Sequence, residues 1–188
     1  MTKIYFVRHA KPDFSVHEDL IRPLTEEGLK DSKNVTEFLK DKEITKVYAS
    51  PYKRAIDTVR GLADKLNLDI IIKNDLRERA VSEEWIEDFN AFSKGQWEDF
   101  NYKLPKGECL KEVQERNVQA LQEILKESCG NNIVIGTHGT ALSTIINHHN
   151  KSFGYDEFNR IKNIMPWIVV MEFQGQNLVN IEEMSLNK

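Results

Sequence analysis

Close to its N-terminus the chain reads Ile4-Tyr5-Phe6-Val7-Arg8-His9-Ala10. The short apolar run over residues 3–7 predicts a buried strand. This strand delivers Arg8 and His9 to its carboxyl end, which is where ligands bind in open α/β sheets. A second predicted strand, residues 132–136, is followed in the same way by Thr137-His138-Gly139. Two histidines that each follow a buried strand, one of them beside an arginine, indicate a site for a phosphorylated substrate.

Strand and helix signals alternate along the rest of the chain. Helices are predicted from Thr25, which can cap a helix, from Ser50-Pro51, from Cys109 or Leu110 to about Ser128, and from Gly139 to His149. Further strands are predicted over residues 46–49, 69–72, 168–173 and 178–183, the last two as a terminal pair. This order predicts a three-layer α/β/α sandwich with a mostly parallel sheet.

Residues 80–106 interrupt the alternation. They are rich in aromatic residues, namely Trp85, Phe89, Phe92, Trp97, Phe100 and Tyr102. We expect a partly helical excursion across one edge of the sheet, with most of these rings packed as core and a minority at the mouth of a pocket. The chain has 188 residues and shows no repeat, linker or low-complexity tract. We therefore expect residues 1–188 to form a single domain that carries this short insert.

Composition narrows the class of protein. Apolar residues make up 40% of the chain and charged residues 30%, as in an ordinary soluble globule. The net charge of −4 and the absence of a dense Lys/Arg block speak against a nucleic-acid partner. No apolar stretch approaches the roughly 20 residues that span a bilayer, and no signal-peptide core is visible, so we expect a cytoplasmic protein without a membrane partner. Cys109 and Cys129 form no disulfide framework, which fits a reducing compartment.

The polar residues after the predicted parallel strands belong to separate segments of the chain. They are Arg8 and His9, then Ser50 and Arg54, then Arg77, Glu78 and Arg79, and finally His138 and Gly139. Because parallel strands end at the same edge of a sheet, we expect two arginines, two histidines and a carboxylate to converge there.

This combination suits phosphoryl transfer. Guanidinium groups bind phosphate oxygens and stay charged at any working pH. A neutral imidazole can attack phosphorus, and nearby arginines disfavour its protonated form. A carboxyl group close to a phosphate tends to hold its proton and can donate it to the leaving oxygen. The helix starts at Ser50-Pro51 and Gly139 are expected to add backbone N–H groups for the anion.

We expect no metal and no cofactor. The sequence contains no HExxH or similar spacing. His148 and His149 are adjacent on a predicted helix and therefore point in different directions.

Several motifs then occur in order over about residues 1–150: Arg8-His9-Ala10, Leu24-Thr25-Glu26-Glu27-Gly28, Ser50-Pro51-Tyr52-Lys53-Arg54-Ala55-Ile56-Asp57-Thr58, Leu76-Arg77-Glu78-Arg79, Gly107-Glu108-Cys109 and Thr137-His138-Gly139. In these motifs the chain resembles the histidine phosphatase superfamily, in its phosphoglycerate-mutase-like branch. The resemblance implies an α/β/α sandwich and a phosphohistidine intermediate formed without a metal.

The resemblance also implies a role for each matching residue. His9 would be the nucleophile that becomes phosphorylated, and Arg8 and Arg54 would clamp the phosphate. His138 would contact the same phosphate and stabilise the transferring group. Glu78 matches the glutamate that protonates the leaving group and then activates water.

The sequence departs from the family pattern at some positions. Ala10 replaces the commoner glycine and Cys109 the usual serine. The family's Glu-x-x-x-Asn after the histidine is missing, so Asp13, His17 or Arg22 is the candidate to line that side of the phosphate. Glu83 and Glu84 compete with Glu78 for the donor role.

Hydrolysis is the favoured reaction, because the short insert leaves the site open to water. The alternatives are a cofactor-dependent phosphoglycerate mutase, a protein phosphohistidine phosphatase and an inactive phospholigand-binding module. The expected partner is a small phosphorylated substrate, with a phosphoprotein as a further option. The sequence determines neither the physiological substrate nor the oligomeric state.

Overall fold

A six-stranded mixed sheet forms the centre of the structure, a computed structural model that describes residues 1–83 and 86–186. Its strands are β1 (Thr2–Arg8), β2 (Ile44–Ala49), β3 (Ile70–Ile72), β4 (Asn132–Thr137), β5 (Trp167–Gln174) and β6 (Asn177–Met184). They lie in the order β3-β2-β4-β1-β5-β6. The first four strands are parallel, whereas β5 is antiparallel to β1 and β6 is antiparallel to β5.

Helices cover both faces of the sheet. They are α1 (Glu26–Leu39), α2 (Lys53–Leu66), α3 (Phe89–Glu98), α4 (Leu110–Glu127), α5 (Gly139–His149) and α6 (Tyr155–Ile161). Helices α1 and α2 pack on one face, and α3 to α6 contribute to the core on the other. The predicted three-layer α/β/α sandwich is thus confirmed. None of the helices in residues 1–83 and 86–186 combines the length and apolar character of a membrane span.

Strand β1 lies inside the sheet and is buried on both sides. Ile4 and Phe6 belong to the core under α4 and α5, whereas Tyr5 and Val7 belong to the core under α1 and α2. Such two-sided burial is typical of parallel sheets and explains the unbroken apolar run. It also fixes the register of β1, because a shift by one residue would exchange its two faces.

The start of α2 differs from the sequence prediction. We expected Ser50-Pro51 to begin the helix, with Ser50 as its cap, and this was wrong. The helix begins at Lys53, and Tyr52 is its N-cap residue. Ser50 instead turns its hydroxyl towards His138. By contrast, Thr25 caps α1 as predicted, accepting a hydrogen bond from the Gly28 N–H at 3.0 Å.

Within its described residues, 80–83 and 86–106, the insert forms the helix α3 and is partly helical as predicted. Trp97 is buried and packs against Phe100, Phe153 and Phe158. Phe92 is buried as well, whereas Phe89 and Tyr102 are exposed. Trp85 and the candidate donor Glu84 lie outside the described residues.

The first turn of α1 makes a close contact with the segment that follows His9. The Lys11 carbonyl oxygen accepts a hydrogen bond from the Thr25 N–H at 3.0 Å. A Cβ atom on Gly28 would lie only 2.3 Å from the same oxygen. Only glycine therefore allows α1 to approach the backbone this closely.

We predict that Gly28→Ala destabilises the fold by about 1–3 kcal/mol, since the added methyl forces apart two backbone segments. Urea unfolding of both proteins measures this difference. Gly154→Ala is the matched control, because a Cβ atom there meets nothing within 4 Å. The control is expected to stay within about 0.5 kcal/mol of the parent. Equal unfolding midpoints for the two variants would show that α1 adjusts freely.

Candidate active site

Backbone hydrogen bonds continue the parallel ladder beyond the ends of the strands. The His9 N–H donates to the Thr137 carbonyl at 3.0 Å, and the Ser50 N–H donates to the Gly136 carbonyl at 3.0 Å. The residues that follow β1 and β2 are therefore held beside the last residues of β4 at the carboxyl edge of the sheet. This is the edge at which the sequence predicts the site.

His9 and His138 face each other at this edge, with ring centroids 5.3 Å apart. The Nδ1 atom of His9 lies 2.8 Å from the Ala10 carbonyl oxygen. Because a carbonyl only accepts hydrogen bonds, Nδ1 carries the proton of the neutral ring. The lone pair is consequently on Nε2, the nitrogen that is free to attack an electrophile.

Burial lowers the pKa of His9 well below its ordinary value, and the positive charges of Arg54 and Arg8 lower it further. Burial likewise lowers the pKa of His138, with a further contribution from Arg54. Both rings are therefore neutral at pH 7 in the unliganded site. A neutral imidazole is the nucleophilic form.

The Arg8 guanidinium is anchored by the carboxyl end of α6. One Nη atom donates to the carbonyls of Ile161 at 2.8 Å and Ile164 at 3.1 Å, and the other donates to Lys162 at 2.9 Å. Its buried Nε has no hydrogen-bond partner among the described residues. Burial lowers the pKa of Arg8 to about 10, so the group stays charged at neutral pH. The chain holds this donor rigid and leaves part of it free for an anion.

Gly139 makes room for this arginine. A Cβ atom at Gly139 would lie 3.1 Å from both Cζ and Nε of Arg8. The sequence assigned Gly139 to phosphate binding through its backbone. In this structure its contact is with Arg8.

Arg54 is buried and bonded to one residue of the loop after β1. Its guanidinium donates to the Asp19 carbonyl at 2.7 Å and pairs with the Asp19 carboxylate at 3.2 Å. It lies 4.9 Å from the centre of the Tyr52 ring, which in turn lies 5.1 Å from the His138 ring. The Tyr52 ring thus packs against both the Arg54 guanidinium and the His138 ring. The sequence did not predict these contacts.

Arg22 is tied into the same loop. It donates to the carbonyls of Val16 at 2.6 Å and His17 at 2.9 Å, and to the Asp19 carboxylate at 2.7 Å. The Asp19 carboxylate therefore links Arg22 to Arg54. Asp13, another candidate for this side, accepts hydrogen bonds from Ser15 within its own turn.

Glu78 reaches the site from β3, which lies at the edge of the sheet. Its carboxylate accepts hydrogen bonds from the backbone N–H groups of Thr140 at 3.0 Å, Ala141 at 3.1 Å and Arg79 at 2.8 Å. The first two belong to the N-terminus of α5, which we had expected to serve the phosphate. Glu83 instead forms an exposed ion pair with Lys106.

His138 is completely buried, and its Nε2 lies 2.7 Å from the Ser50 hydroxyl oxygen. Its Nδ1 is also buried and has no partner within the described part of the chain. The sequence missed this contact because Ser50 was assigned to a helix cap. The position of Ser50 directly after β2 was the available signal. Over residues 1–83 and 86–186, no group of three or more His, Cys, Asp or Glu side chains is arranged to hold a metal ion.

Comparisons with known proteins show the family of this chain. The family described as the histidine phosphatase superfamily (branch 1) matches residues 4–183. The chain is 29% identical over 163 residues to the metal-independent phosphoserine phosphatase of Arabidopsis thaliana, covering 77% of this chain and 67% of that protein. It is also 29% identical over 161 residues to phosphoglycerate mutase-like protein 4 of the same plant, covering 76% and 69%.

A solved structure shows the same fold. Phosphoserine phosphatase from Entamoeba histolytica, in complex with 3-phosphoglyceric acid, superimposes with a TM-score of 0.78 at 18% identity. The match covers 99% of both chains. Because the family match spans nearly the whole sequence and the fold agrees, the chain is an enzyme of the histidine phosphatase superfamily, branch 1.

Proposed function

We propose that this protein is a metal-independent phosphatase that hydrolyses small phosphomonoesters through a phosphohistidine on His9. One observation carries the proposal. His9 is buried as a neutral ring with its Nδ1 proton fixed on the Ala10 carbonyl, beside two buried arginines. A nucleophile with a defined lone pair and two charged anion-binding groups is the minimum that phosphoryl transfer to nitrogen requires.

In the first step the Nε2 lone pair of His9 forms a bond to phosphorus, and the bond from phosphorus to the ester oxygen breaks. The negative charge on the phosphoryl oxygens is balanced by Arg8, Arg54 and the N–H or O–H donors around them. Arg8 is held by the carbonyls at the end of α6 before substrate arrives, so it needs no reorganisation in the transition state. Arg54 exchanges its bonds to Asp19 for bonds to the phosphate.

Glu78 serves the leaving group. As the phosphate enters, repulsion between like charges leads the Glu78 carboxylate to take up a proton from solvent, and the resulting carboxylic acid gives this proton to the departing oxygen. In the second step the resulting carboxylate takes a proton from water, the water oxygen attacks phosphorus, and the bond from phosphorus to Nε2 breaks. Inorganic phosphate leaves, and both His9 and Glu78 return to their starting states.

His138 stabilises the group in transit. If Ser50 donates its hydroxyl proton to Nε2 of His138, the Nδ1 proton is available to a phosphoryl oxygen. We therefore assign Ser50 the role of fixing this tautomer. Arg22 acts at longer range, since its charge also disfavours protonation of His9.

The packing of the insert supports hydrolysis rather than mutase chemistry. A mutase must retain its substrate while the phosphoryl group is transferred back. Here Gln96 of α3 is fully buried and binds Arg79, Tyr102 and Glu108, so this helix is held against the domain. We infer that an insert held in this way does not enclose the substrate for a second transfer, so that water takes the phosphoryl group.

The names of relatives suggest where to begin with substrates. Phosphoserine and 3-phosphoglycerate are small phosphomonoesters, and both appear in the descriptions of proteins with this fold. We propose a substrate of this class. We also propose that residues 1–188 act as one domain and that the protein works in a reducing cytoplasm, which the free thiols of Cys109 and Cys129 support.

A substrate panel tests the proposed function. We expect release of inorganic phosphate from phosphoserine, 3-phosphoglycerate or another small ester in excess EDTA, and inhibition by orthovanadate. Efficient conversion of 3-phosphoglycerate to 2-phosphoglycerate would instead establish a mutase. Selective turnover of a phosphohistidine peptide would favour the protein phosphatase, and binding without turnover would favour the inactive module. Loss of activity on chelation, with recovery on adding one metal, would contradict the mechanism.

We predict that rapid quenching with labelled substrate traps an acid-labile phosphoenzyme in the parent protein and none in His9→Ala, because Nε2 forms the covalent bond. The control is His148→Ala, an exposed histidine at the end of α5, which should form the adduct normally. An adduct that persists in His9→Ala would move the nucleophile elsewhere.

We predict that Glu78→Gln lowers kcat on the order of a hundredfold for alkyl phosphates and less than about tenfold for nitrophenyl phosphate. The nitrophenolate leaves without needing a proton, so loss of the acid matters little to it. Steady-state kinetics on both substrates measure the ratio. Glu83→Gln is the matched control and should resemble the parent. Equal losses on both substrates in Glu78→Gln would assign the proton donor to another group.

A further inference from the structure

Behind Glu78 lies a pair of oppositely charged residues that touches neither histidine. Arg116 of α4 donates to the Glu108 carboxylate through Nε at 2.8 Å and through one Nη at 2.9 Å. The side chains of Arg116 and Glu108 are only 11% and 17% exposed. A buried pair of this kind is costly to desolvate, and its cost is offset only when further hydrogen bonds satisfy both groups.

Apart from one bond that Glu108 accepts from the Arg77 side chain, the further bonds of this pair go to the backbone around Glu78. Arg116 donates to the carbonyls of Asp75 at 2.8 Å, Arg77 at 2.7 Å and Glu78 itself at 3.2 Å. Glu108 accepts a bond from the Ala80 N–H at 2.9 Å. The pair therefore holds the chain on both sides of Glu78.

Burial raises the pKa of Glu108, but the hydrogen bonds from Arg116 and the Ala80 N–H outweigh this and leave the pKa below its ordinary value. Glu108 is therefore a carboxylate at neutral pH, which is the form that accepts the hydrogen bonds from Arg116.

Glu78 needs such support for two reasons. First, Glu78 follows β3 at the edge of the sheet, and its backbone is not held by strand-to-strand hydrogen bonds. Second, a carboxyl group that protonates a leaving oxygen must exchange its hydrogen bonds from backbone N–H groups for a contact with that oxygen. During that exchange, only the backbone can keep the carboxyl in place.

We propose that Glu108 and Arg116 are positioning residues that align the Glu78 carboxyl with the leaving oxygen. This rests on the proposed role of Glu78 as the proton donor. The pair touches neither the phosphate-binding arginines nor His9. Its loss should consequently affect the proton-transfer step and leave phosphate binding unchanged.

The decisive experiment compares Arg116→Met and Glu108→Gln on an alkyl phosphate and on nitrophenyl phosphate. For the alkyl ester we expect kcat to fall on the order of tenfold to a hundredfold with KM within about twofold, as for a misplaced catalytic group. For nitrophenyl phosphate we expect a fall of less than about threefold, since its leaving group needs no proton. Equal losses on both substrates, or none, would overturn the proposal.

Arg77→Met is the matched control. Arg77 pairs with the same Glu108 carboxylate at 3.1 Å, but it is more exposed and does not reach the Glu78 carbonyl. We expect this variant to keep the parental ratio between the two substrates. If it reproduced the selective loss, the effect would belong to the charge on Glu108 and positioning through the backbone would be wrong.

A double variant separates positioning from general loss of stability. In the Glu78→Gln background the acid is already gone, so adding Arg116→Met should cause no further selective loss. An additional selective loss there would also overturn the proposal. Arg116→Lys keeps a positive charge near Glu108 but cannot span the backbone carbonyls. It replaces Arg116→Met if that variant does not fold, and we expect it to show an intermediate selective loss. Failure of the proposed function is recognisable separately, because the parent protein itself would then turn over neither ester.

Discussion

The structure depends on the burial of positive charge at the carboxyl edge of the sheet. Arg8 and Arg54 are both less than a tenth exposed, and His9 and His138 are buried as well. Burying a charge is costly unless it is hydrogen-bonded. The carbonyls at the end of α6 and the Asp19 loop supply these bonds in the unliganded protein. In the proposed function, the phosphate of the substrate balances the charge of these two arginines.

The positive charges of the two arginines are balanced by different partners, so the two side chains have different roles in the proposed mechanism. Arg8 donates only to backbone carbonyls of a helix end, which stay in place when an anion binds. Arg54 donates to Asp19, half of whose side chain is exposed on a surface loop. In the proposed mechanism, Arg8 therefore keeps its partners, whereas Arg54 exchanges the Asp19 carboxylate for the phosphate. Arg22 shares Asp19 with Arg54, so this residue of the loop after β1 links the two arginines.

Arg79 connects the insert to Glu78. This buried arginine follows Glu78 directly, binds Gln96 of α3 and lies 5.3 Å from the ring centres of Phe89 and Phe92. Gln96 in turn binds the Glu108 carbonyl. The aromatic residues that stood out in the sequence thus support the backbone that carries Glu78, in addition to completing the core around Trp97.

The sequence by itself determined the strands, the layers and the members of the site that follow β1 and β4. In an alternating α/β chain, short apolar runs that end in Arg8-His9 and Thr137-His138 indicate buried parallel strands. Parallel pairing then places the ends of both strands at the same edge of the sheet. What only the tertiary structure decided are the partners of those residues: the α6 carbonyls on Arg8, Asp19 on Arg54, Ser50 on His138 and the α5 N-terminus on Glu78. These contacts join segments that are far apart in sequence. No local periodicity or capping signal encodes them, because their geometry is set by how the helices pack on the two faces of the sheet.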